Sequence, residues 1–202
     1  MKKSESKSKS KIKFVPGKVL EEFDVVKGSK IHVKFRFLKR NENVEEITKY
    51  INSIVTEKEN WLSMVKPVTV AEERKWLKIK LKEQAGKNKY VVVEADGKFL
   101  GNAELRCGGM GNSHTASFGI SLARNICGMG VGTRLLKYLI NMAKKMSIEI
   151  LYIEVYKGNK RALHIYQDKL GFKQSGIKPK FRKRIIKGKA VYDDEVFMWR
   201  RA

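Results

Sequence analysis

Cys127-Gly128-Met129-Gly130-Val131-Gly132-Thr133 decides how this chain is read. Glycines at alternate positions let backbone N–H groups come close to an anion. Val131, Leu135, Leu139, Met142 and Met146 then recur at helical spacing, and the N-terminus of that helix adds partial positive charge. A phosphate-bearing ligand is the natural occupant; a glycine-rich turn packing helix against strand is the alternative. No Gly-Lys-Ser/Thr follows, so this is not a Walker loop. The G-x-G-x-G spacing, late in the chain, also departs from the dinucleotide fingerprint.

Outward from the loop, Thr115 to Leu122 reads as the strand before it and Glu149 to Val155 as the strand after its helix. A helix from Asn159 to about Lys169 follows, then a strand opening at Phe172 and a last strand from Val191 to Trp199. Toward the N-terminus, Ile31, Val33, Phe35 and Phe37 alternate with polar residues as in a half-buried strand. Val44, Ile47, Ile51 and Ile54 mark a helix, and Trp61, Met64 and Pro67 lie in a break. Thr69 with Glu72 makes a capping box, opening a helix with Val70, Leu77 and Leu81 on one face. Tyr90 to Ala95, the Asp96-Gly97 turn and Phe99 to about Cys107 form a hairpin, and a glycine cluster at 108–112 turns the chain again. Early hairpins and a late strand–helix–strand unit imply a mixed α+β fold, one mixed sheet covered by helices.

The chain has 202 residues, 42% hydrophobic, enough for one domain with a real core. Its net charge is +23. Residues 1–13 hold six lysines and one glutamate, and residues 178–189 hold seven Lys/Arg and no acid. The first segment reads as a disordered basic tail, 14–30 as a lead-in and 31–202 as the folded domain. The two basic runs are either solvated surface or a face for a polyanion. Cys107 and Cys127 are the only cysteines, which makes neither a disulfide framework nor a four-ligand metal site and fits a reducing compartment. With no apolar run long enough to span a bilayer and no signal-peptide pattern, a cytoplasmic protein without a membrane partner or metal is expected.

A second motif follows the loop: Asn159, Ala162 and Tyr166 as N-x-x-A-x-x-x-Y, then Leu170-Gly171-Phe172. With the loop, it resembles the GNAT superfamily of N-acetyltransferases, most specifically over 118–172. The Asp194-Glu195-Val196-Phe197-Met198 stretch is similar to the family's last strand. Two departures stand out. Cys127 replaces the family's Arg or Gln, so any nearby cation must come from Arg124, Arg134 or Lys160. Four residues, where three is commoner, separate Tyr166 from Gly171, and with Ala162–Tyr166 this resembles catalytic subunits of protein N-terminal acetyltransferases.

The resemblance implies a three-layer GNAT-like fold with helices on both faces of the sheet. It implies acetyl-CoA as cosubstrate, with pyrophosphate against Cys127, Gly128, Met129, Gly130, Val131, Gly132 and Thr133. Ile120, Ser121 and Leu122, on a strand that splays from its neighbour in the family, would bond the pantetheine arm, and Asn159 lies near it. Tyr166 matches the tyrosine that protonates the departing thiolate. Glu154, twelve residues before Tyr166, matches the base of the ribosomal-protein branch. A carboxylate between Ile153 and Val155 is expected to be partly desolvated, which favours its neutral form. Glu104 is the rival base. His114 and His164 read as surface histidines, and Trp61 and Met64 as core packing or as the acceptor wall.

The expected activity is acetyl transfer to a primary amine by direct attack in a ternary complex. A protein N-terminus or lysine is favoured over a small amine, since +23 repels free polyamines. Weak nucleic-acid or ribosome association would follow from the basic runs, and the chain would act as monomer or homodimer. The rival reading is a non-catalytic acyl-CoA-binding or nucleic-acid-associated module on the same scaffold.

Overall fold

A computed structural model describes residues 12–202. Residues 1–11 of the expected basic tail lie outside the described residues. Eight strands form one sheet: β1 Val19–Lys27, β2 Ser29–Phe37, β3 Lys89–Ala95, β4 Lys98–Cys107, β5 Thr115–Leu122, β6 Ile150–Tyr156, β7 Lys173–Ile186 and β8 Lys189–Arg201. Their order across the sheet is β1-β2-β3-β4-β5-β6-β8-β7. Every neighbouring pair is antiparallel except β5 with β6.

Strand β3 shows how the layers arise. Its residues are buried on both faces, as a central strand requires. Tyr90 and Val92 pack with Ile47, Tyr50 and Ile54 of α1 (Val44–Val55) and Leu77 of α2 (Val70–Ala85). Val91, Val93 and Ala95 face the other way, into the cluster holding Leu135, Leu136 and Leu139 of α3 (Val131–Lys145). Period-two alternation thus assigns α1 and α2 to one face and α3 to the other. The Thr69–Glu72 capping box is present and starts α2 as expected. Asp96 and Gly97 both have positive φ, the conformation a two-residue hairpin needs.

Two regions differ from the sequence reading. The lead-in contains β1, which pairs with β2 from Val19 to Lys27. It is an edge strand with one paired side and one half-buried face, so its apolar signal is thin; Gly28, at φ +77 between two alternating stretches, is the legible mark of the turn. Arg134 of α3 fastens β1, 2.6 Å from Glu21 and stacked 3.8 Å from the Phe23 ring centre. The basic run 178–189 does not lie between the last two strands. Most of it is the second half of β7, paired with β8, and only Lys187-Gly188 forms the turn. A register shift between Lys178 and Arg182, with Lys180 at φ +54, breaks the alternation that would have shown this strand.

The motif helix also carries a local irregularity. It begins as α4 (Lys160–His164) and continues as one π turn, Ile165–Lys169. The wider turn absorbs the extra residue between Tyr166 and Gly171. Tyr166 and Phe172 still meet edge to face, ring centres 6.2 Å apart, and the Phe172 N–H donates to the Tyr166 carbonyl at 2.8 Å.

Candidate active site

Strand β5 decides where the chemistry lies. Thr115–Ser117 pair with Ile150–Tyr152 of β6, and beyond Ser117 the two strands have no partnered residues. Strand β5 stays paired with β4 to Leu122, and β6 stays paired with β8 to Tyr156. The parted strands therefore face each other across a gap with one ladder edge of each unpaired. A cleft of about 500 Å³ opens there, lined by Phe118 to Ser121 on one side and Ile153 to Tyr156 on the other. It spans the expected site residues Ile120, Ser121, Glu154, Asn159 and Tyr166.

The glycine loop sits just past the end of β5 and is not part of the cleft lining. After one 3-10 turn (Arg124–Ile126), Cys127 is extended, Gly128 has φ +90 and Gly130 φ +80. Gly130 is the N-cap of α3 and supplies no side-chain cap. The first intrahelical bond runs from Arg134 N–H to Gly130 carbonyl, so the N–H groups of Val131, Gly132 and Thr133 point out of the helix start unpaired. Gly132 packs closely: an added Cβ would lie 3.1 Å from Leu122 Cδ1. The loop is thus a backbone cradle for an anion pressed against the end of β5, and it fits a pyrophosphate. Of the expected cations, Arg124 pairs with Glu57 and Arg134 with Glu21. Arg161 does lie beside Gly128, 3.7 Å from where a Cβ would sit. The sequence reading missed it, although it stands two residues into the N-x-x-A motif.

Tyr166 is buried with Phe118 and Phe172 on the α3 face, yet lines the cleft. Its hydroxyl has no hydrogen-bond partner among the described residues, and burial pushes its pKa up, so it remains a proton donor at neutral pH. Asn159 caps α4 through the Ala162 N–H at 3.2 Å. Ser121 is part of a relay: Tyr50 donates to Ser121 Oγ at 2.7 Å, and Ser121 donates to Asn102 at 2.7 Å. Cys127 Sγ lies 3.9 Å from the Leu122 carbonyl.

On the α1/α2 side the cleft is made of side chains. The rival base Glu104 is held by two cations, Lys80 at 3.5 Å and Arg106 in a short ion pair. Glu154 lines the cleft without an ion pair and is exposed rather than partly desolvated. The reason is alternation: Glu154 and Tyr156 point away from α3 toward the open cleft, while Ile153 and Val155 take the buried side. The desolvation expected at Glu154 falls instead on Glu195 of the neighbouring strand β8, two residue pairs along. Glu195 is 6% exposed, its Oε2 has no hydrogen-bond partner, and burial and the neighbouring Glu154 push its pKa up.

The wall opposite comes from the stretch between α1 and α2. Trp61, Leu62, Ser63 and Met64 line the cleft, so Trp61 and Met64 belong to the wall. Arg182 of β7 fixes this stretch: it donates to the carbonyls of Asn60 (3.0 Å) and Leu62 (2.7 Å), pairs with Asp193 at 3.0 Å, and stacks on Tyr156, 4.0 Å from the ring centre. A side chain at Gly158 would collide with the Trp61 ring. Two cations of the basic run are therefore structural, since Arg184 also pairs with Asp193. His114 and His164 are exposed and outside the cleft, as surface histidines should be.

The acetyltransferase (GNAT) family model matches residues 55–172. Among curated protein sequences, none matches the chain. An N-acetyltransferase from Staphylococcus aureus Mu50 superposes with a TM-score of 0.71 at 21% identity, covering 84% of this chain and 98% of that one. A ribosomal-protein-alanine N-acetyltransferase from Brucella melitensis gives 0.69 at 20% identity, over 83% and 99%. A GNAT superfamily phosphinothricin acetyltransferase from Sinorhizobium meliloti, solved in complex with acetyl-CoA, gives 0.68 at 17% identity, over 84% and 88%. The parted β5 and β6, the glycine cradle at the start of α3 and a family match over more than half its length make this chain a member of the GNAT family of acetyltransferases.

Proposed function

We propose that the protein is an acetyl-CoA-dependent N-acetyltransferase that moves an acetyl group to a primary amine by direct attack in a ternary complex. The observation that carries this reading is that one cleft, opened by the parting of β5 and β6, holds both an unpaired carboxylate, Glu154, and an unpartnered tyrosine hydroxyl, Tyr166. The acetyl thioester supplies the activated acyl carbon. Cys127 to Thr133 hold its pyrophosphate through backbone N–H groups, with Arg161 beside them. Ile120, Ser121 and Leu122 present the free edge of β5 to the pantetheine amides, and Asn159 orders the turn beside it.

A primary amine with pKa about 10 is mostly protonated at neutral pH. Glu154 takes the proton that the ammonium loses, directly or through water, and the freed nitrogen attacks the thioester carbon. Tyr166 gives its proton to the sulfur as the carbon–sulfur bond breaks, and the proton that the new amide nitrogen sheds restores the tyrosine through water. The acceptor is a protein terminus, a lysine or a small amine. The lysines that remain exposed on the β7–β8 hairpin, Lys178, Lys180, Lys183, Lys187 and Lys189, beside exposed Phe181 and Tyr192, support weak association with a polyanionic assembly.

The test is CoA release from acetyl-CoA with N-terminal peptides and simple amines across pH. Wild type should release CoA. Glu154→Gln should lose most rate near neutral pH and recover part of it as pH rises and free amine appears. CoA binding without release in every case would favour the non-catalytic module, and the same pH pattern in Glu104→Gln instead would move the base to Glu104.

A further inference from the structure

The charge inside the cleft is opposite to the charge of the molecule. In a chain of net charge +23, the cleft's titrating residues of acid or base type are Glu73, Glu104, Glu154 and Glu195 against Lys80 and Arg106. Both cations pair with Glu104, and Lys80 also with Glu83 outside the cleft lining. Three carboxylates remain, and only Glu154 is needed to receive the attacking amine.

The other two are unusual for their burial. Glu73 is 7% exposed and its side chain makes no hydrogen bond or ion pair among the described residues. It stands one turn before Trp76 on α2, and both line the cleft. Glu195 is 6% exposed with Oε2 unpartnered. Its ion pair, to Lys178 at 3.7 Å, comes from outside the cleft lining, and the same ammonium sits over the rings of Phe181 and Phe197. Taking a carboxylate out of water without full hydrogen bonding is costly. Burial raises the pKa of both groups, which reports that cost. A fold tolerates such groups where a ligand completes them. The complement of two buried carboxylates, Glu73 standing one turn from Trp76, is positive charge, since a cation gains from a ring face as well; the Trp61 ring already carries Arg182 and Arg184.

Resting on the acetyltransferase reading, we infer that the acceptor is dicationic: besides the amine offered to Glu154, it carries a second ammonium or guanidinium group close by, which Glu73 and Glu195 hold. The overall +23 does not prevent this. Screening confines surface charge to about 8 Å at physiological salt, whereas carboxylates in a desolvated cleft act at contact. The same chemistry is offered by a free diamine or by a peptide with a basic residue next to its terminal amine.

The test uses the full chain with acetyl-CoA and two matched acceptor pairs: 1,4-diaminobutane against butylamine, and Ala-Lys-Ala-Ala against its norleucine counterpart. The expected result is kcat/KM at least about tenfold higher for the dication in one pair, carried mainly by KM, the size of one charge-assisted contact. Preference in the diamine pair alone identifies a small amine, and in the peptide pair alone a protein terminus. Glu73→Gln and Glu195→Gln, isosteric and checked for folding by circular dichroism, should bring the ratio toward one. Equal kcat/KM in both pairs, or a full preference kept by both variants, overturns the inference while leaving acetyl transfer standing. If none of the four acceptors turns over, calorimetry of 1,4-diaminobutane against the CoA complex decides: heat of binding abolished by Glu73→Gln supports it, and no binding overturns it.

Discussion

At the start of α3 the protein offers backbone; across the β5–β6 gap it offers side chains. The glycine cradle comes from seven consecutive residues, 127–133, and its donors are main-chain N–H groups. The cleft draws Glu73 from α2, Glu104 from β4, Glu154 from β6, Glu195 from β8 and Trp61 from the stretch between two helices. A backbone site tolerates a change of side chain, which is why Cys127 can stand where the family has Arg or Gln. A side-chain site depends on every element arriving in register, and here a single buried arginine, Arg182, ties the outer strand to the wall.

The sharpest way to break this contrast is to put charge into the cradle. Gly130→Glu places a carboxylate in an anion site and should weaken CoA binding by at least about 100-fold in calorimetry. The added Cβ meets nothing within 4 Å, so the fold should survive; Gly130→Ala, which carries only the strain of φ +80, should bind far better than Gly130→Glu. Comparable losses in both would mean that backbone conformation, not the anion, is what matters there.

Next comes the group where the two regions meet. Tyr166→Phe should lower kcat by about 100-fold while CoA affinity changes less than about twofold, because its hydroxyl has no protein partner and, in the proposed reaction, serves only the leaving thiol. A shift in affinity equal to the loss in rate would place Tyr166 in the binding site instead.

Arg182→Ala should act on the acceptor side alone. Two carbonyls and part of Asp193 lose their donor, at a cost of about 2–3 kcal/mol in urea unfolding. Acceptor KM should rise several-fold with CoA affinity unchanged. Loss of CoA binding in the folded variant would show that the two ends are coupled. The smallest effect belongs to Cys127→Arg, which should leave CoA affinity equal or up to a few-fold higher. A large loss would mean that the cysteine itself shapes the cradle.

Particular residues show how far the sequence could be read. The Thr69–Glu72 box, the Asp96-Gly97 turn and the α3 spacing are local signals, set within a few residues of chain, and the structure has them as expected. Strand β1 was faint because an edge strand buries only one face. Half of β7 was hidden because a bulge at Lys180 broke the alternation and the residues opposite it, Asp193 and Glu195, lie on the next strand. Arg182 and Arg184 looked like free surface charge, since nothing within a run of cations reveals a carboxylate eleven or nine residues away.

The sequence by itself determined the sheet-and-helix alternation, the glycine cradle and the Asn159–Tyr166 motif, because each depends on spacing along one segment. Tertiary structure alone decided which carboxylates are free. Glu104 became paired because α2 brought Lys80 to β4, Glu154 became exposed because β6 faced the open gap, and Glu195 became buried on β8 between β6 and the outer strand β7. A carboxylate's charge state follows from its desolvation and its nearest cations, and both are properties of neighbours that the chain reaches only by folding.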